Sequence, residues 1–269
     1  MPLEERTRLN TSSKPALDLP PPFRLITLRE VGDAFAHAGS VASEAGAGTL
    51  VYVGRFDLAE FAVVLEPEAP LETARRALYA GLVALADALA AHAPPERPIS
   101  FDWPDAVRVN GGLVGGGRLG WPQGAPENEP PAWLVFGAMI RTVAMGEDEP
   151  GLRPLSAALE EEGFEDFDSD RLVESFARHL MVAIDTWQEK GFGEVAKSYL
   201  AGLAPQSGVR RELDGNGDLL VRRSVAGGGN GDLLVRRSVA GGGSVERQSL
   251  VRALAQPSWL DPATGGPRR

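Results

Sequence analysis

Residues 105 to 119, DAVRVNGGLVGGGRL, place five glycines within positions 111 to 117 and leave the backbone few paths. Ala106 to Val109 alternate apolar and polar side chains, as a half-buried strand does. Asn110-Gly111-Gly112 then offers the residues that accept the positive φ angles of a tight turn, and Leu113 and Val114 resume the apolar pattern. The stretch predicts a β-hairpin with Gly111 and Gly112 as turn glycines. Gly115, Gly116 and Gly117 fall on the returning strand, where missing side chains are tolerated best if something approaches the backbone closely.

The flanking sequence supplies more of both element types. DLPPPF closes an N-terminal stretch, residues 1 to 22, that reads as an extended arm docking at Phe23. An alanine-rich helix is expected from Thr27 to Ala47 with Gly39 as its weak point, followed by paired strands LVYV and FAVVL. Leucine and alanine at three- to four-residue intervals predict a helix over 71–91, and ISFDW and PAWLVFGAMIRTVA read as strands. DSDRLVESFARHLMVAIDTWQEKG opens on a capping acid or serine and predicts a long amphipathic helix, continued by GEVAKSYLAGL. Without a strict βαβ alternation, the fold class is α+β, a mixed or antiparallel central sheet with flanking helices, over residues 23 to 204.

Residues 205 to 269 are expected to form a small β-rich C-terminal domain. GNGDLLVRRSVAGG occurs there twice in identical tandem copies, 215–228 and 229–242. Solenoid units run longer and drift, so the pair reads as an in-frame duplication in which one copy makes a hairpin strand and the other an insertion or extra strand.

Several chemistries are excluded. The net charge of −10 opposes nucleic acid as a main partner, because phosphate binding depends on Lys and Arg displacing counterions. No cysteine is present, which removes disulfides, thiolate metal sites and thioester transfer. Lysine occurs only at positions 14, 190 and 197, so no GxxxxGK[ST] phosphate loop exists, and the glycines end a hairpin rather than opening a helix as GxGxxG requires. His37, His92 and His179 stand in helices without ligand spacing, and the acids of 160–170 lack the EF-hand pattern, so no metal site is expected. No signal peptide or membrane span is expected, which places the chain in the cytoplasm.

Trp103-Pro104, the following acid, the Asn-Gly turn and the small-residue run together resemble the Lys-Trp-Pro-Asn-Asp and Lys-x-Ala-Gly signatures of the biotin and lipoate protein ligases. The chain looks most like a bacterial branch with a short C-terminal domain ending in SWLDPATGGPR, here 258–268. The resemblance implies ATP-dependent, Mg2+-assisted activation of a biotin-, lipoate- or octanoate-like carboxylic acid and its transfer to a lysine of a biotinyl or lipoyl carrier domain. It implies a ligand seat built from Trp103, Asp105, Gly115, Gly116 and Gly117. Asp102, Asp105 and Ala106 stand where the family has Lys, Asn and Asp, and Leu113 occupies the catalytic lysine's position. Arg118 and Arg55 are the candidate replacement cations, with Arg108 and Arg141 on neighbouring strands as alternatives. The alternative is a catalytically inactive ligase-like protein that binds a small carboxylic acid or a carrier domain.

Overall fold

A computed structural model describes residues 17–145, 155–165, 167–223 and 245–268. Most of the expected N-terminal arm and the second repeat copy, 229–242, lie outside the described residues.

Seven strands form the central sheet. They are β1 (Arg24–Leu28), β2 (Thr49–Gly54), β3 (Leu58–Leu65), β4 (Ile99–Asp102), β5 (Ala106–Val109), β6 (Gly112–Gly120) and β7 (Leu134–Arg141). Their spatial order is β1-β2-β3-β7-β6-β5-β4. Only β1 and β2 pair in parallel; every other neighbour is antiparallel. The sheet is therefore mixed, as the irregular strand and helix pattern predicts. RLITL, whose last two residues fall within the helix expected from Thr27, is instead the edge strand β1, pairing in parallel with β2, which is buried from Thr49 to Val53. The helix behind it begins later, as α1 (Ala34–Ala45), where the Asp33 carboxylate accepts from the Ala36 amide at 2.9 Å.

One face of the sheet carries α2 (Leu71–Ala74), α3 (Ala77–Ala90), α4 (Ser169–Lys190) and α5 (Phe192–Ala201). The helix expected over 71–91 breaks at Arg75 and Arg76, between α2 and α3. α3 is apolar almost all round and correspondingly buried almost all round, between the sheet and α4 with α5. α4 is strongly amphipathic and is capped by Asp168, which accepts from the Arg171 amide at 3.0 Å. The opposite face of the sheet takes α1, whose Ala34, Ala38 and Ala42 pack on Val51, Val53, Ala62, Val64 and Val135.

A second, three-stranded antiparallel sheet follows, with β9 (Leu219–Arg223) between β8 (Val209–Leu213) and β10 (Val245–Gln248). The first repeat copy supplies β9. The Asp214 carboxylate ties the turn before it by accepting from the amides of Asn216 and Asp218 at 2.9 and 3.0 Å. The Asp218 carboxylate accepts from Arg247 and from the Leu250 amide at the start of α6 (Leu250–Leu254). Leu219, Val221 and Leu250 are buried in the same core as α3 and α5. From α6 the chain runs back across the main sheet on the face that α1 occupies.

Candidate ligand face of the sheet

The hairpin forms as its sequence dictates: Asn110 and Gly111 take φ of 50° and 85°, and β5 pairs with β6. Gly112 is not a turn residue. It already pairs with Val109 and has negative φ, and its missing side chain admits the Ala157 methyl, 2.6 Å from where a Cβ would sit.

The three glycines after the turn give way to three different neighbours. A Cβ on Gly115, at φ 153°, would lie 1.9 Å from the Met139 carbonyl oxygen, so the closeness of β6 to β7 requires glycine there. A Cβ on Gly117 would meet Phe136 and Leu82 in the helical-side core. Gly116 points to the other face, where a Cβ would lie 2.3 Å from Cδ1 of Trp259. Trp259 is fully buried among Leu58, Ala106, Leu113 and Met139, and its indole nitrogen donates to the Gly117 carbonyl at 3.0 Å.

Asp105 holds the same segment. Its fully buried carboxylate accepts from the Ser258 hydroxyl at 2.7 Å and from the Ser258 amide at 3.3 Å. Burial pushes the Asp105 carboxyl up to about 6, against the Ser258 donors that pull it down. A folded-state pKa above the ordinary value means the contribution of this group to stability is present below the ordinary carboxyl range and is lost as pH rises through about 6. Asp105→Asn removes that titration. Urea unfolding at pH 4 and pH 7.5 should show the stability difference between the two pH values changing by about 1–3 kcal/mol relative to the parent. An unchanged difference would place the titration elsewhere.

The remaining candidates from the sequence point elsewhere. The Trp103 indole donates to the Tyr79 hydroxyl at 3.0 Å, and that hydroxyl donates to the Gly217 carbonyl, so Trp103 faces α3 and the C-terminal sheet. Arg118 lies on the Gly116 face but is directed at the start of α1. It pairs with Asp33 at 3.1 Å and stacks 4.3 Å from the Phe35 ring centre, with its side chain 16 % exposed. Burial lowers its pKa from the ordinary arginine value. Beside Arg118, the buried Glu60 accepts from the Ala34 amide at 2.9 Å, and burial raises its pKa. Arg55 makes a two-pronged contact with Asp57, at 3.1 and 2.9 Å.

Arg55 and Asp57 also line a cavity of about 150 Å³ with Leu58, Arg141 and the Thr264–Pro267 loop. Arg141 donates to the Pro267 carbonyl at 2.9 Å and to that of Arg268 at 3.2 Å, so it clamps this loop to the sheet. Sequence reading did not assign Trp259 or Ser258 to this face, and it offered Arg141 only as an alternative to Arg118 and Arg55. The available signal was SWLDPATGGPR itself, an isolated tryptophan among turn-forming residues.

Residues 19–201 match the biotin/lipoate A/B protein ligase family. The chain belongs to that family. No curated protein sequence matches it. Among solved structures, a biotin protein ligase-like protein of unknown function from Silicibacter sp. TM1040 is 29% identical, with 78% of this chain and 95% of that one covered and a TM-score of 0.68. The biotin protein ligase from Aquifex aeolicus in complex with biotin and ATP is 18% identical, with 84% and 99% covered and a TM-score of 0.55. The apo Aquifex aeolicus enzyme gives 17% identity, the same 84% of this chain, all of that chain, and a TM-score of 0.59. At these identities the two Aquifex structures share the fold.

Leu113 offers no cation, Trp259 fills the space over Gly116, and Arg118 is held by Asp33 and Phe35. Among the described residues no group of three His, Asp or Glu side chains could hold a metal ion, and no helix is long and apolar enough to cross a membrane.

Proposed function

We propose that this member of the biotin/lipoate ligase family binds a small carboxylic acid without activating it through ATP. The observation that carries the proposal is Trp259 seated on Gly116 and against Leu113. Gly116 and Asp105, which serve a ligand in the implied scheme, here hold the chain's own C-terminal segment, while Gly115 and Gly117 make room for β7 and the core. Adenylation builds negative charge on phosphate oxygens and needs preorganised cations and donors; each missing donor costs roughly a hundred- to a thousandfold in rate. The acid is accommodated instead in the neighbouring cavity, lined by Leu58 as an apolar wall, by Arg141, and by Arg55, whose guanidinium the acid would share with Asp57.

Incubation with MgATP and biotin, lipoate or octanoate is expected to release no pyrophosphate above the uncatalysed background. Calorimetric titration with short carboxylic acids is expected to show binding that Arg55→Ala weakens by about tenfold or more. Stoichiometric pyrophosphate release with any of the three acids would overturn the proposal in favour of an active ligase. Acid binding indifferent to Arg55→Ala would remove the cavity from it.

A further inference from the structure

On the helical side of the sheet, remote from Trp259, a groove of about 540 Å³ opens between α3, β4 and the end of α5. Its volume falls within the roughly 300–1,000 Å³ typical of small-molecule sites. Val83, Ala86 and Ala90 of α3 form one wall, and Ile99 and Phe101 of β4 the other. The floor is fixed by backbone: the Phe101 amide donates to the Gly202 carbonyl at 2.8 Å, tying the sheet edge to the end of α5.

Charge within this groove is unequal. Asp87 and Glu96 line it, with Arg97 as the one cation among its lining residues. Arg97 is engaged elsewhere, donating to the Glu162 carbonyl at 3.2 Å and pairing with the Glu162 carboxylate at 3.4 Å. Glu96 stands at φ 64°, a conformation that costs a non-glycine residue energy and is found disproportionately at ligand-holding loops. Among the described residues, no group donates a hydrogen bond to the Asp87 carboxylate, and the surrounding apolar atoms raise its pKa. The His179 ring on α4 lies near enough to act on Asp87 and is held by the Ser175 carbonyl at 2.8 Å.

Asp87 is an exposed carboxylate beside aliphatic and aromatic walls, and no cation that lines the groove pairs with it. We infer that this groove binds an organic amine, a primary or secondary ammonium carried on an apolar body, with Asp87 accepting from the ammonium and Val83, Ala90, Ile99 and Phe101 covering the body. A charge-assisted hydrogen bond of this kind favours the ammonium over a neutral ligand of equal length by roughly ten- to a hundredfold.

The test uses the full chain, titrated calorimetrically at pH 7 with n-octylammonium and with n-octanol. Octylammonium is expected to bind at least about tenfold more tightly. Asp87→Asn, an isosteric change at an exposed helix position, should bring the two affinities within about twofold, and Ala90→Trp should abolish both by filling the groove. Circular dichroism of each variant reports whether the fold is retained. Equal affinity for the two ligands in the parent chain would identify a groove without charge selectivity and overturn the inference. So would an ammonium preference that survives Asp87→Asn, or no saturable amine binding at all. These outcomes are independent of acid binding on the opposite face, which Asp87→Asn should leave unchanged.

Discussion

Replacing Trp259 with alanine lowers the stability of the folded protein by about 3–5 kcal/mol. The side chain is fully buried, and the glycine beneath it cannot move in to fill the void. Truncation also leaves the Gly117 carbonyl without its indole donor inside the protein, which adds to the cost of the lost packing. Urea unfolding followed by tryptophan fluorescence and circular dichroism measures the loss. Trp259→Phe is the informative companion: it keeps an aromatic ring over Gly116 and loses the hydrogen bond, so it should cost about 1–3 kcal/mol. If Trp259→Ala cost less than about 1 kcal/mol, the C-terminal segment would not be seated on the sheet as described, and the proposal of a filled ligand face would fall with it.

The second large effect lies one residue away along the strand. Gly115→Ala places a methyl group 1.9 Å from the Met139 carbonyl oxygen, a backbone atom of the neighbouring strand that no rotamer change can relieve. The two central strands must separate, and a loss above about 4 kcal/mol is expected, enough to leave most of the chain insoluble on expression. Gly111→Ala provides the contrast. Its Cβ would meet nothing within 4 Å, so only the positive φ of 85° opposes it, and the cost should be about 1–2 kcal/mol. Soluble yield and urea midpoints of the two variants separate a glycine required by a close strand approach from one required by a turn. Comparable losses at both positions would show that the strand spacing at Gly115 is adjustable.

What the sequence made legible was local. The hairpin could be read because alternation and an Asn-Gly turn specify it within a few residues, and α4 because its cap and apolar stripe are contiguous. The mixed sheet followed from strands and helices that do not alternate regularly. Edge strand β1 escaped because five residues between two turns carry little periodic signal, and its strand character comes from its pairing with β2. The glycine run announced that something approaches it, and the residue types could not say what. Gly115 answers to a carbonyl of β7, Gly117 to Phe136, and Gly116 to a tryptophan far along the chain, Trp259. No spacing rule connects Gly117 with Trp259. Arg118 illustrates the same limit: a cation beside a glycine strand suggests an anion, while the partner it meets, Asp33, is brought near by the start of α1.

The distance between Trp259 and the strand it covers also has a meaning in time. At translation rates of about 5–20 residues per second, the ribosome needs roughly 7–28 s to travel the 142 residues from Gly117 to Trp259. Once β7 has been made, β6 can pair with both neighbours while the Gly116 face stands bare. The sheet is therefore assembled in two instalments, with its last apolar surface closed only when a much later part of the chain arrives.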